Sequence, residues 1–369
     1  MDKATTGPVV PAKYWHARPD GRIQCDLCPH RCRLRAGRRG LCFVRACRES
    51  QVVLTTYGRS SGFCVDPIEK KPLYHFLPGT SVLSFGTAGC NLTCRFCQNW
   101  TLSRSRDQHA GGDAASPEQI ARAARSLGCR SVAFTYNDPV VFHEYAVDVA
   151  VACRALGIRT VAVTAGYVCP EPRAEFYRHM DAANVDLKSF NNAFYRRLCG
   201  GRLQPVLDTL TYLKRATDVW LEITHLIIPG ENDAPAEVDA MTRWVVDQLG
   251  PAVPIHFTAF RPDWRLRDHA PTPPATLRRA REIAQANGVH YAYIGNVRGP
   301  GGESTYCLGC GTLLIGRRGH AIAEWNLTPK GNCWNCGVPC AGVFEASPGN
   351  WGQRCLPVRL QDFDAAPAT

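Results

Sequence analysis

The segment Ser84-Phe85-Gly86-Thr87-Ala88-Gly89-Cys90-Asn91-Leu92-Thr93-Cys94-Arg95-Phe96-Cys97-Gln98-Asn99-Trp100 sets three cysteines within eight residues, just past a short apolar run. Thiolates spaced by three and then two residues can reach one metal centre from a single tight loop. Iron–sulfur clusters are held by cysteine thiolates, usually four. Three local ligands leave one iron of a cubane open to an outside ligand. Zinc would instead need a fourth protein ligand to close its tetrahedron, and no further Cys or His lies close on either side.

Outward from this loop the chain becomes regular. Short β-branched runs at 81–87, 131–136, 160–164, 183–187, 220–228, 255–260 and 291–294 read as strands. Between them, 116–127, 139–156, 172–179, 193–197, 203–216, 236–249 and 275–286 read as helices, the first opened by Ser116-Pro117-Glu118 with its N-cap, helix-starting proline and early acid. Alternation of this kind builds parallel β/α units. Six or seven such units in about 215 residues suit a partial (β/α)6 barrel better than the complete eightfold form, which takes ~250. An open doubly wound sheet is the alternative on pattern alone. In a barrel, the loop after the first strand lies at the C-terminal mouth, where such folds place their chemistry.

Composition sets the frame. Of 369 residues, 45% are hydrophobic and 20% charged, as in ordinary globular chains. The N-terminus has no signal-peptide core, and no apolar run reaches 18 residues, so neither secretion nor a membrane span is expected and the cytoplasm is the expected compartment. In a reducing compartment clustered cysteines point to metal rather than disulfides. Beyond the loop, five of the 19 cysteines fall between Cys25 and Cys47 and five between Cys307 and Cys340. The remaining six (Cys64, Cys129, Cys153, Cys169, Cys199 and Cys355) are expected to pack as small buried hydrophobes. Three regions follow: a Cys-rich basic module over 1–80, the barrel over 81–297, and a Cys-rich module with its tail over 298–369, joined through a Gly/Pro linker at 298–302.

Cys307-x2-Cys310 and Cys333-x2-Cys336 have the spacing of two knuckles of a zinc ribbon. Cys25-x2-Cys28-x3-Cys32-x9-Cys42 again counts four ligands; spacing alone does not separate zinc from an auxiliary iron–sulfur cluster, and structural zinc is the expected occupant. The net charge of +11 concentrates in residues 1–80, with 14 Lys and Arg against 6 Asp and Glu. That surplus keeps a zinc-rich nucleic-acid-binding or RNA-modifying protein as the alternative reading.

Cys-x3-Cys-x-Phe-Cys resembles the signature of the radical S-adenosylmethionine (SAM) superfamily. The wider context, Glu69-Lys-Lys-Pro-Leu-Tyr-His-Phe-Leu-Pro-Gly79 followed by Gly89-Cys-Asn-Leu-Thr-Cys-Arg-Phe-Cys-Gln-Asn-Trp100, resembles the AmmeMemoRadiSam system branch, relatives of pyruvate formate-lyase activating enzyme. The resemblance runs from about Cys25 to Phe344. It implies a TIM-like partial barrel, a 4Fe–4S cluster on Cys90, Cys94 and Cys97, and reductive cleavage of SAM to a 5′-deoxyadenosyl radical that takes hydrogen from a protein, perhaps of glycyl-radical type, or from a small molecule. An electron donor such as flavodoxin or ferredoxin, and homologues of the AMMECR and Memo proteins, are the implied partners.

The resemblance also implies SAM contacts at strand ends. Asn137 and Asp138 stand where activating enzymes carry Gly-Gly-Glu; the branch pattern is Tyr-Asn-Glu-Pro, so Asp138 is one methylene short. It is equally suited to cap the helix that begins at Pro139. Thr164-Ala165-Gly166 departs from Thr-Asn-Gly at Ala165. Asp186 and Lys188, at alternate positions, point to one face and are implied to hold the SAM carboxylate; a buried ion pair is the competing reading. Phe96 and His256 complete the set, with Thr224 and His225 as weaker candidates. The arginine of formate-lyase activators is absent from the fifth strand.

Overall fold

Strands buried on both faces need nearly continuous apolar sequence. Ser81–Phe85 and Ser131–Phe134 meet that demand, with every residue buried. The computed structural model describes residues 9–105, 113–297 and 302–363. All of the linker expected at 298–302 except Gly302, and the end of the tail, 364–369, lie outside the described residues.

A nine-stranded sheet organises the molecule. In chain order its strands are β1 (Phe63–Pro67), β2 (Ser81–Phe85), β3 (Ser131–Phe134), β4 (Arg159–Thr164), β5 (Ala182–Asp186), β6 (Trp220–Ile227), β7 (Ile255–Ala259), β8 (Ala292–Gly295) and β9 (Leu356–Val358). Six helices cross between the parallel strands: α1 (Pro117–Ser126), α2 (His143–Ala155), α3 (Pro170–Arg178), α4 (Gln204–Ala216), α5 (Pro235–Leu249) and α6 (Pro274–Ala286). Each strand and helix lies where its periodicity placed it, with ends shifted by a few residues. Ser116 caps α1 as its side chain suggested, closing a capping box with Gln119. Residues 139–156 divide into a short 3-10 turn, Pro139–Phe142, and α2.

Strand order settles barrel against doubly wound sheet. From β2 to β8 the parallel strands pair in sequence, without the reversal that a doubly wound sheet requires. Crossovers of one hand then put every helix on one side, and the sheet curls. β1 continues it antiparallel to β2, and β9 pairs antiparallel to β1. The sheet thus takes one strand from each Cys-rich region.

Two small antiparallel sheets form most of the N-terminal region: Val10–Pro11 with Gln51–Leu54 and Arg45–Arg48, and Trp15–Ala17 with Ile23–Cys25 and Arg33–Leu34. In the tail, Thr305–Tyr306, Leu313–Arg318 and Ala321–Trp325 form a ribbon. It closes the N-terminal end of the barrel through segment 72–79, where Leu77 N–H donates to the Val343 carbonyl and His75 Nδ1 bonds the Ala341 carbonyl. Among the described residues no helix is long and apolar enough to cross a membrane.

Candidate active site

β2 ends at Phe85 and the cysteine loop begins at once, pressed against the end of β3. A Cβ at Gly86 would collide with the Thr135 carbonyl and Asn137 Oδ1, so only glycine permits that approach. Asn137 then pins the loop from the side: its Nδ2 donates to the Gly89 carbonyl (2.7 Å), and its Oδ1 accepts the Thr87 N–H (3.1 Å). From the other side the turn after β5 clasps it. Thr93 N–H donates to the Cys199 carbonyl and Arg95 N–H to the Leu198 carbonyl, each at 2.8 Å.

A cavity of ≈ 220 Å³ opens at this mouth, lined by Cys90, Cys94, Cys97 and Phe96. Asn137, Asp138, Thr164 and Ala165 form a second wall, and Asp186 with Lys188 a third. Four strand ends, β2 to β5, therefore bring together most of the residues expected at one site. The Leu92 amide points at the Cys90 sulfur and the Asn99 amide at that of Cys97, an arrangement that favours thiolate over thiol once metal is bound.

Asp138 uses its carboxylate on the scaffold. Oδ1 accepts the Val140 N–H (3.0 Å), Oδ2 accepts the Ala165 N–H (2.9 Å), and the Thr164 hydroxyl reaches both oxygens at 3.1 Å. Burial raises its pKa, against the pull of these donors. It is the cap of the turn at Pro139 and at the same time the tie between β3 and β4.

Asp186 and Lys188 form an ion pair of 2.8 Å, with the acid 34% and the lysine 14% exposed. Burial disfavours the charged lysine, but Asp186, then the sulfurs of Cys94 and Cys199, outweigh it and hold Lys188 well above the usual lysine range. An ammonium beside a cysteine sulfur and a carboxylate with room around it can receive a zwitterion.

The structure places four expected residues away from the cavity. His256 is the second residue of β7, at the opposite end of the barrel, where its Nε2 meets Glu222 Oε2 at 2.6 Å and its ring stacks on Tyr293. Thr224 bonds Asn184 Oδ1, and His225 bonds the Leu187 carbonyl. Gly166 does not line the cavity; it turns the chain after β4 at φ +64°, against Thr209. Cys199, expected only as a buried hydrophobe, lies in hydrogen-bond contact with Cys94. A lone cysteine in a helical run carries no local signal for that. Of its scattered companions, Cys355 is exposed, 3.2 Å from Lys70 Nζ.

The model of the radical SAM superfamily matches residues 85–241, which carry the cysteine loop and four of the strand ends around the cavity. Residues 85–241 form a radical SAM domain. An uncharacterized protein of Methanocaldococcus jannaschii is 39% identical over 306 residues, 83% of this chain and 91% of its own. The pyruvate formate-lyase-activating enzyme of Clostridium pasteurianum is 26% identical over 173 residues, 44% of this chain and 67% of that one. Among solved structures, a radical SAM methyltransferase from Sphaerobacter thermophilus superposes with a TM-score of 0.48 and 16% identity, over 61% of this chain and 68% of that one. A radical SAM domain implies a 4Fe–4S cluster and SAM. The three thiols on one wall, with amides aimed at two of them, fit the cluster.

Proposed function

We propose that this radical SAM enzyme holds its cluster on Cys90, Cys94 and Cys97 and binds SAM across the cavity, with Asp186 and Lys188 facing the methionine end. When bound, the cluster supplies one electron that cleaves SAM into methionine and a 5′-deoxyadenosyl radical able to take hydrogen from a substrate. The protein's own part is placement. Asn137 and the 198–199 backbone fix the cysteine loop, Asp138 fixes Thr164, and Lys188 balances charge beside Cys94. The observation that carries the reading is the convergence of the three thiols and the Asp186–Lys188 pair on one small cavity.

Similarity to activating enzymes favours a protein substrate, of glycyl-radical type, over a small molecule. A flavodoxin or ferredoxin is the proposed electron donor, and AMMECR or Memo homologues are proposed partners. Structural zinc is proposed for the tail, where Cys307 and Cys336 approach to 3.5 Å and Cys310 and Cys333 to 3.7 Å. The deciding experiment is anaerobic incubation of reconstituted protein with SAM and dithionite. Formation of 5′-deoxyadenosine, with an EPR signal that changes on adding SAM, is expected. Colourless, iron-free protein after reconstitution would overturn the proposal in favour of a zinc-rich nucleic-acid-binding protein.

A further inference from the structure

Twelve of the cysteines remain once the active-site loop and the tail four are set aside, and four of them form a second centre. Cys25, Cys28, Cys32 and Cys42 sit on the turns of the N-terminal sheets, Cys25 and Cys42 buried and the others half-buried. Cys28 is within electrostatic reach of the other three sulfurs. Each of the four receives backbone amides. Leu27 N–H points at the Cys25 sulfur, His30 N–H at Cys28, Leu41 N–H at Cys32, and both Val44 and Arg45 N–H at Cys42. The first two repeat the two-residue offset by which Leu92 serves Cys90 and Asn99 serves Cys97. Cysteines that merely pack in a core do not gather such donors, one set per sulfur.

The spacing of the sulfurs separates the candidate metals. A zinc ion with ~2.3 Å bonds holds its thiolates only about 3.8 Å apart. Among the described residues, the tail four are the one set of three or more metal-ligating side chains whose donor atoms all lie within 4.8 Å of one another. The N-terminal four do not close to that size, and neither do Cys90, Cys94 and Cys97. A cubane spreads its ligands wider than a single ion does, so the N-terminal set, like the active-site set, leaves room for one where the tail does not.

The two wide sets also touch. His30 Nε2 bonds the Asn91 carbonyl at 2.7 Å, and the Gly89 backbone packs directly on the Cys42 carbonyl. We propose that Cys25, Cys28, Cys32 and Cys42 bind a second iron–sulfur cluster of the 4Fe–4S class, fully ligated by protein and set against the loop of the first.

Full-length protein is reconstituted anaerobically with ferrous iron and sulfide, desalted, and assayed for iron and zinc. Wild type is expected to hold about eight irons, the C90A/C94A/C97A variant about four, and the C25A/C28A variant about four. The iron left in the triad variant is expected to give a dithionite-reduced EPR signal that SAM does not alter, because no iron is open. The triad variant leaves the N-terminal sheets untouched, so this arm does not depend on the folding of C25A/C28A. Zinc in place of iron in that variant, or no metal beyond the tail's, would overturn the proposal. Loss of all iron in C25A/C28A beside four irons in the triad variant would instead overturn the assignment of the active-site loop.

Discussion

The two ends of the barrel both bury carboxylates, and they use them differently. At the base, Glu222 accepts four hydrogen bonds, from the Tyr74 and His75 amides, Trp220 Nε1 and His256 Nε2. Burial works to raise its pKa, but those donors, His256 first, leave it below the usual glutamate value. At the mouth, Asp138 is saturated in the same way by Val140, Thr164 and Ala165. Asp186, however, keeps a single ion-pair partner among the described residues and stays a third exposed. Residue type alone does not tell scaffold from site here. The number of donors already committed does.

That comparison fails most visibly if the wrong end carries the chemistry. Cys94→Ala is expected to abolish 5′-deoxyadenosine formation, a loss of at least about a thousandfold, while His256→Gln keeps it within about threefold. Cleavage lost in His256→Gln at unchanged melting temperature would show that the base takes part. Glu222→Ala is expected to cost about 3–5 kcal/mol in denaturant unfolding, as for other buried pairs stripped of one partner. Calorimetric SAM affinity of the folded protein should not change.

The base should also respond to acid. Burial lowers the pKa of His75 to about 4, below its unfolded value near 6.5. A depressed histidine stabilises the fold above the unfolded pKa, and this contribution disappears as pH falls from about 6.5 to 4, amounting to about 3 kcal/mol. His75→Gln should flatten that stretch of the stability–pH curve. At the mouth, Lys188→Gln is expected to raise the KM for SAM about tenfold with little change in kcat, the mark of lost ground-state binding. The smallest effect expected is from Asp138→Asn, which keeps the Val140 cap and gives up a contact to Ala165, for about 1 kcal/mol of stability. A larger change in SAM affinity than in stability would move Asp138 to the site side of the comparison.

The parallel strands and their helices were legible because each announces itself within its own residues, by period and by caps such as Ser116. β1 and β9 were not. Both are short, β9 is the sheet's edge against a partner far away in sequence, and nothing local in Phe63–Pro67 or Leu356–Val358 names them. The cysteine loop was legible because its three cysteines fall within eight residues. His256 was misplaced for a related reason: alternation tells which face of a strand a residue takes, not how deep along the barrel axis it sits. Depth shows in the contacts: His256 is the second residue of β7 and meets Glu222, Tyr74 and Tyr293 at the base. The motif Glu69 to Gly79 proves to be the base's plug, with Tyr74 and His75 feeding Glu222, so its resemblance to relatives reflects architecture at that end.

The pairing of β9 with β1 has a consequence for how the chain comes into being. A strand from the first quarter of the sequence must wait, with one row of amides and carbonyls unmatched, for a partner that emerges from the ribosome some three hundred residues later. During synthesis this seam is an open edge, a template for illegitimate strand addition until β9 covers it.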